Sequence, residues 1–595
     1  MSKPHLLLIG IGLALALVAL LCRRSLVRLL STFFREQTSP INLAIARIIT
    51  FGWLLDPAIR YQFVLFSTLP EELRFPIPWM HWMLPHIITN LATVELIAWL
   101  YLVACVLGLI GLGTRIVAPI ALLLGLYVLG VPEFYGKINH NHHLIWFLAV
   151  LAVSPCGDAL SLDSLLRAWR RPELSRPAPS RLYALPLRFL WLLLSLMYFF
   201  PGFWKYWACG AEWFKSDGFR NHLYNKWAQL GGWTPAFRID QYHILCALSG
   251  LGTILFEIGF VLLIFNRLTR YLAAVGGMAF HSLIFVFMRI SFLALQSYYL
   301  TFVEWDVVLR RLGKRLFPKD LFVLYDGGCG VCRKTVSVLT SLDLLERVTF
   351  VDALDDDRKR TLGLNTLDQD ILLHDMHGVS GDQVTQGYFT YRWMAARLPL
   401  LWAILPLLYL PPVVALGMRI YRKIADSRAC RLPSATGAKP TRVSLFRSYS
   451  PRMVCVVGAL LFVLNVYCGF RHISSWPLSC YPAFDYIPQP MINEVVFTIH
   501  SPSGATEEFH PYANPGPFAD CTERLGGMIE SIVADTDETR RAGRLEAFWR
   551  VFPHPASSAG TKVQVRQILT STIPGDYHII QQNELMEFEP TPAPM

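Results

Sequence analysis

Apolar positions along the first three hundred residues fall in long blocks separated by short polar stretches. A helix that crosses the hydrocarbon layer of a bilayer needs about 20 mainly apolar residues. Ten blocks are candidates: His5–Cys22, Ile41–Leu55, His86–Leu112, Val117–Val131, His143–Val153, Phe189–Phe200, Tyr242–Phe265, Tyr271–Phe287, Ser291–Val303 and, much later, Met453–Phe470. The first block is followed at once by Arg23, Arg24 and Arg28. A cleaved signal peptide has positive residues before its apolar run and small residues after it. Residues 1–38 are therefore expected to be an uncleaved anchor and a basic loop, with the N-terminus outside.

Basic residues orient the remaining spans, because Lys and Arg collect in short cytoplasmic loops. Arg23–Arg35, the loop at Arg115, the six arginines of Arg167–Arg188, the Arg267–Arg270 turn and Arg310–Lys319 alternate as cytoplasmic segments. Two polar stretches then share the outer face: Gly136–His143 and the long loop Pro201–Gln241.

After Lys319 the pattern changes. Leu321–Leu324 and Val348–Val351 read as short strands, and the segment between them as a helix starting near Cys332. Strand, Cys-x-x-Cys, helix, strand is a βαβ pattern of the thioredoxin-like kind, and charge places it in the cytoplasm. Leu398–Met418 is apolar enough to span, yet Pro406, Pro411 and Pro412 break a regular helix. A helical hairpin belonging to the insert, or lying on the membrane surface, is the favoured reading. Beyond Phe470, Val495–His500 and Val563–Leu569 read as strands and Met528–Ala542 as a helix. A small extracytoplasmic α+β domain is expected there, with Cys480 and Cys521 as candidates for a disulfide.

Composition agrees with lipid as the main solvent. The 595 residues are 53% hydrophobic and only 16% charged, against about 25% charged in soluble domains. Mean hydropathy is +0.39. The net charge of +11 belongs to the cytoplasmic loops. No basic run interleaved with aromatics stands apart from them, so no nucleic-acid partner is expected. The fold class is a polytopic α-helical membrane protein with an inserted thioredoxin-like α/β domain and a small C-terminal α+β domain.

Cys329 and Cys332 form the single Cys-x-x-Cys. A thiol attacks as its thiolate, and the start of a helix stabilises that anion through unpaired N–H groups and the helix dipole. Cys329 fits the nucleophile, and Cys332, one turn on, fits the residue that resolves a mixed disulfide. Gly327, Gly328 and Gly330 allow a tight turn and close substrate approach, and Arg333 and Lys334 add positive charge. The same pair is half of a zinc site, for which His374 and His377 would be the other half. It can equally be an inert pair. No cofactor or metal is required by the thiol reading.

Ionisable residues within spans are functional suspects. Arg47, Glu95, Glu257 and His281 stand out, either locked in internal pairs, Arg47 with an acid for instance, or engaged in chemistry. At 1.5 Å per residue, His281 falls near mid-membrane and Glu257 in the inner half. Lys205 follows an apolar run. It is either an interfacial lysine among aromatics or a desolvated base. His140, His142 and His143 in the other outer stretch are its potential partners, or metal ligands.

Two resemblances attach to these motifs. Tyr325-Asp326-Gly327-Gly328-Cys329-Gly330-Val331-Cys332, Gly387, Leu398–Trp402 and Tyr421–Arg428 resemble the DCC family of thiol-disulfide oxidoreductase-like proteins over about residues 322–432. That resemblance implies a thioredoxin-like fold and a redox-active Cys329–Cys332 pair, with Tyr325 and Asp326 as supporting residues. Asn139–His143, Tyr198–Tyr206 and Phe280-His281-Ser282 resemble the horizontally transferred transmembrane (HTTM) domain over about residues 39–306. That family includes vitamin K-dependent γ-glutamyl carboxylase. The likeness implies that Lys205 deprotonates a reduced quinone, with His142 or His140 in support. Trp204 stands where the carboxylase has the first of two lysines, and its large lumenal domain has no counterpart in the tail.

The expected organisation is an anchor and loop (1–38), an HTTM-like bundle (39–310), the thiol domain (320–432), a span (452–470) and an extracytoplasmic domain (471–595). The expected function is membrane-bound thiol-disulfide exchange in a multi-pass cell-membrane protein. Its partners would be the lipid bilayer, a protein dithiol or disulfide, and a quinone or other lipid-soluble molecule held by the bundle. A carboxylase- or epoxidase-like enzyme and a non-enzymatic membrane scaffold or sensor are the alternatives.

Overall fold

The chain is mostly helical, and its helices fall into a long apolar bundle with two small sheet-containing units attached. A computed structural model describes residues 21–137, 141–173, 177–215, 217–364, 369–427, 449–552 and 560–590. The expected first span His5–Cys22 lies almost wholly outside the described residues, as does His140.

Six described helices are long and apolar enough to cross a membrane: Leu91–Ile110, Thr114–Phe134, Arg181–Cys209, His243–Leu263, Arg267–Met288 and Pro451–Phe470. Pro40–Leu54 and Pro57–Thr68, bent by 43°, make a seventh if counted as one broken span. Two of the expected spans fall short. His142–Ala152 has 11 residues, a rise of about 16 Å against the roughly 30 Å of hydrocarbon. Ser291–Val303 contains only the short helix Leu293–Ser297 and the 3-10 turn Tyr298–Phe302.

The central helix is Arg181–Cys209, with 29 residues that include Pro186 and Pro201. It packs against His243–Leu263 and Pro451–Phe470. Close packing is possible where glycine meets a ring. A Cβ on Gly458 or Gly469 would fall 2.3 Å from Phe189 or 2.1 Å from Phe200. The helix continues eight residues past Pro201, so Lys205 sits inside it and not in an outer loop as the sequence suggested. Proline tolerates this position because neighbouring helices compensate the lost bond.

Strands β1 (Leu321–Tyr325), β2 (Val348–Asp352), β3 (His377–Ser380) and β4 (Gln383–Gln386) form one sheet in the order β2-β1-β3-β4. β1 and β2 are parallel, with Leu321 opposite Val348, and helix Gly330–Leu342 connects them. β3 and β4 are an antiparallel hairpin against β1. The Leu398–Met418 stretch breaks at its prolines into the 3-10 turns Pro399–Leu401 and Leu405–Tyr409 and the helix Pro411–Asp426.

In the tail, β5 (Met491–His500), β6 (Thr506–Phe509), β7 (Lys562–Ser571) and β8 (Ile579–Phe588) form an antiparallel sheet in the order β6-β5-β7-β8. The single helix expected over Met528–Ala542 is two, Thr522–Val533 and Glu538–Val551. The break is made by Asp537, whose carboxylate caps the second helix at the Arg540 N–H. Cys480 and Cys521 are both free thiols and not a disulfide.

This tail unit is docked on one end of the bundle. Arg524 donates to Gln62, to the Pro132 carbonyl and to Glu133. Arg544, held by Asp535, donates to the Glu72 and Arg74 carbonyls. The thiol domain is docked at the other end, where helix Gly330–Leu342 packs on helix Leu162–Arg170.

Candidate functional site

β1 runs out at Tyr325, and the next turn is tied by its own carboxylates. Asp326 accepts the Gly328 N–H at 2.8 Å, and Asp352, at the end of β2, accepts the Gly327 N–H at 3.1 Å. A Cβ on Gly327 would lie 1.9 Å from an Asp352 carboxylate oxygen, so glycine is needed there. Gly330 has open space around it, so no neighbouring protein atom requires glycine at that position.

Cys329 is the N-cap of helix Gly330–Leu342, with φ −80° and ψ 119°, and its carbonyl accepts the Arg333 N–H at 3.0 Å. Cys332 lies in the first turn of the same helix. Both cysteines are thiols, and each is 4% exposed. The intervening Gly330 and Val331 stand exposed above them. An anion at the first position faces a helix start, where N–H groups lack intrahelical partners. Burial pushes the Tyr325 hydroxyl pKa up, and Asp352 adds to the shift.

A cavity of about 460 Å³ opens beside this turn, between the cysteine helix and the bundle. Tyr325, Arg333 and Ser337 line it from the thiol domain, and Asp158, Arg167 and Arg171 from the segment that carries helix Leu162–Arg170. Asp158 is fixed by Arg167 at 2.7 Å and by the Tyr183 hydroxyl at 2.8 Å. Lys334 is not aimed at the thiols. Its ammonium lies 5.5 Å over the Trp169 ring. The zinc reading finds no partner set: His377 is buried in β3 facing the Asp375 carbonyl at 2.9 Å. No group of three or more His, Cys, Asp or Glu fit to hold a metal occurs among the described residues.

Lys205 and His281, singled out in the bundle, are each buried against a partner, whereas the Glu95 pair is part-exposed. Lys205 donates to both oxygens of Glu257, at 3.0 and 2.9 Å, and to the Ala483 carbonyl at 2.8 Å. His281 meets the Tyr198 hydroxyl at 2.7 Å, and Tyr198 also contacts Tyr299. Glu95 pairs with Arg60 at 2.9 Å. Arg47 pairs with no acid among the described residues. Its guanidinium donates to the carbonyls of Cys156 and Leu160 instead, which close around it as the chain leaves helix His142–Ala152.

His142 meets the Ser475 carbonyl at 2.9 Å and the Lys137 ammonium at 3.1 Å, and Lys137 pairs with Glu133 at 3.0 Å. Burial pushes the Lys137 pKa down, and Glu133 opposes it. His143 contacts the Tyr481 hydroxyl. His142, His143 and Lys205 therefore share a partner, the segment 471–490. Its carbonyls also accept from Trp146, Trp213, His222 and Asn221. Backbone acceptors have no side-chain signature, so this strap is not legible in the sequence. Tyr198 was detectable, being seven residues and thus two turns before Lys205 on one helix face.

The two sets of residues are far apart. Tyr183, which holds the cavity residue Asp158, and Lys205 lie 22 positions apart on one helix, a rise of about 33 Å. The model of the family described as DCC1-like thiol-disulfide oxidoreductase matches residues 323–431. That segment contains the end of β1, all of β2 to β4, the cysteine helix and the whole of helix Pro411–Asp426. Comparison with curated proteins yields no match, and neither does comparison with solved structures.

Proposed function

We propose that the chain is a multi-pass membrane protein whose inserted thioredoxin-like domain performs dithiol-disulfide exchange through Cys329 and Cys332. One observation carries this reading: Cys329 caps the helix of a parallel βαβ unit, with Cys332 one turn on, inside the segment that matches a thiol-disulfide oxidoreductase family. The reaction runs in two steps. The Cys329 thiolate attacks one sulfur of a substrate disulfide, forming a mixed disulfide and releasing the other sulfur as a thiolate that takes up a proton. The Cys332 thiolate then attacks Cys329 Sγ, releasing the second substrate thiol and leaving the Cys329–Cys332 disulfide. Two electrons pass from the protein dithiol to the substrate. Asp326 and Asp352 hold the turn.

The distribution of basic loops supports a cytoplasmic thiol domain with the strap and tail domain on the other side, and their docking at opposite ends of the bundle is compatible with that reading. Lys205 is engaged by Glu257 and Ala483, which favours a locking role. A quinone near Lys205 would require that lysine to leave both partners, so the proposal routes no proton through it.

The test is trapping. With Cys332→Ser, incubation with glutathione disulfide is expected to leave a stable glutathione adduct on Cys329, read by intact mass and peptide mapping. Cys329→Ser is expected to give none. An adduct formed equally in both variants, or in neither, contradicts the assignment.

A further inference from the structure

The thiol domain carries an apolar face that none of its elements among the described residues covers. On helix Pro411–Asp426, Leu416, Ile420 and Ile424 are spaced four apart and are all about half exposed. At about 100° per residue they form one stripe. The neighbouring stripe is the one that packs inward: Gly417 lies against Tyr388, the Tyr421 hydroxyl accepts the N–H of Met376 just before β3, and Ala425 is buried. Arg419 and Lys423 flank the outer stripe and are exposed. The preceding 3-10 turns and the link between them add Trp402, Ile404 and Leu407, likewise exposed. Contiguous apolar surface of this kind marks an interaction site.

The position of this face points to its occupant. Leu400, at its start, lines one groove with Ile110 and Leu162. Ile110 is the last residue of the membrane-length helix Leu91–Ile110. The apolar face thus begins where a lipid-facing helix ends, at the level of the bilayer surface. An amphipathic helix with Lys and Arg beside its apolar stripe is the form that lies in the headgroup layer and favours anionic lipid.

We propose that residues 400–424 form a foot that seats the thiol domain in the surface of an anionic bilayer. The foot fixes the cavity and the Cys329 turn at the height of the headgroups, so that substrates are met at the membrane surface. This rests on the reading of the bundle as membrane-spanning, and the experiment separates the two.

Nitroxide labels are placed by Leu407→Cys, Leu416→Cys and Ile420→Cys in the full chain, reconstituted into phosphatidylcholine–phosphatidylglycerol liposomes. The signal of the unsubstituted protein is subtracted. Val384→Cys, exposed in β4, is the water control, and Leu255→Cys, exposed on helix His243–Leu263, is the span control. Collision with oxygen relative to a water-soluble nickel complex reports depth. The expected ratio at 407, 416 and 420 is several-fold that at 384, approaching that at 255, and falls in phosphatidylcholine alone. A ratio at all three positions equal to that at 384, with 255 lipid-like, overturns the foot. Spin–spin broadening between copies at 416, with no oxygen preference, also overturns it, in favour of a second chain. A water-like ratio at 255 overturns the membrane reading itself.

Discussion

Replacing Lys205 by methionine tests what the lysine is for. Lys205 is 2% exposed and its ammonium makes three hydrogen bonds, two to Glu257 and one to the Ala483 carbonyl. Lys205→Met keeps most of the volume but strands the Glu257 carboxylate and the carbonyl. Breaking a buried ion pair from one side costs about 3–5 kcal/mol, whereas replacing both partners by apolar groups is close to neutral. The double variant Lys205→Met/Glu257→Leu still leaves the Ala483 carbonyl short of a donor, which costs about 1 kcal/mol. The expected order is therefore parent, then double variant about 1 kcal/mol below it, then Lys205→Met about 3–5 kcal/mol below. Equilibrium unfolding of the purified protein in mixed micelles with increasing dodecyl sulfate, followed by far-UV circular dichroism, measures this. A Lys205→Met protein as stable as the parent refutes the reasoning. So does a double variant less stable than the single one. Either result returns Lys205 to the list of candidate bases.

Three further outcomes follow from the same geometry. Gly136 has φ +62°, and a Cβ there would lie 2.5 Å from the Met528 nitrogen and 2.7 Å from the Arg524 oxygen. Because both are backbone atoms, Gly136→Ala is expected to cost at least about 2 kcal/mol and to speed proteolysis between Phe470 and Met491, and unchanged cleavage contradicts the docking. Burial holds the His222 imidazole pKa down to about 4, with the bond to the Tyr486 carbonyl opposing and Lys205 reinforcing. Its pKa is thus below the unfolded value near 6.5, so its stabilisation is complete above pH 6.5 and is lost as pH falls toward 4, by on the order of 3 kcal/mol. The thermal midpoint should fall over that window in the parent and much less in His222→Gln, and equal slopes contradict it. Gly327→Ala, driven into Asp352, should slow glutathione exchange at Cys329 while leaving the dodecyl sulfate unfolding of the bundle unchanged. Exchange at the parental rate contradicts the need for glycine in that turn.

The thiol turn was legible in the sequence because its signals are local. Two strands, a glycine turn and a cysteine at a helix start all fall within about thirty residues. The membrane-length helices were legible as apolar blocks, and their ends were not. Pro201 after the apolar run reads as the start of a loop that would hold Lys205, and the neighbouring helices of the bundle override that signal. Apolarity alone makes His143–Val153 and Ser291–Val303 candidate spans, whereas the helices they form are too short or too broken to cross by themselves. Long-range pairing was not readable. Nothing in the sequence joins Arg524 to Glu133, or segment 471–490 to Lys205 and His142, since the acceptors are often backbone carbonyls supplied more than two hundred residues away. The two helices at Thr522–Val533 and Glu538–Val551 were read as one because the cap at Asp537 was not weighed against the apolar pattern.

The most direct measurement of the central claim is a redox titration of the purified full chain in glutathione buffers, with maleimide alkylation and peptide mass readout. Cys329 and Cys332 are expected to pass together from two alkylated thiols to one disulfide, along a two-electron curve that vanishes in Cys329→Ser. If both remain alkylated at the most oxidising ratio, or respond independently of each other, the chain is not a dithiol redox protein.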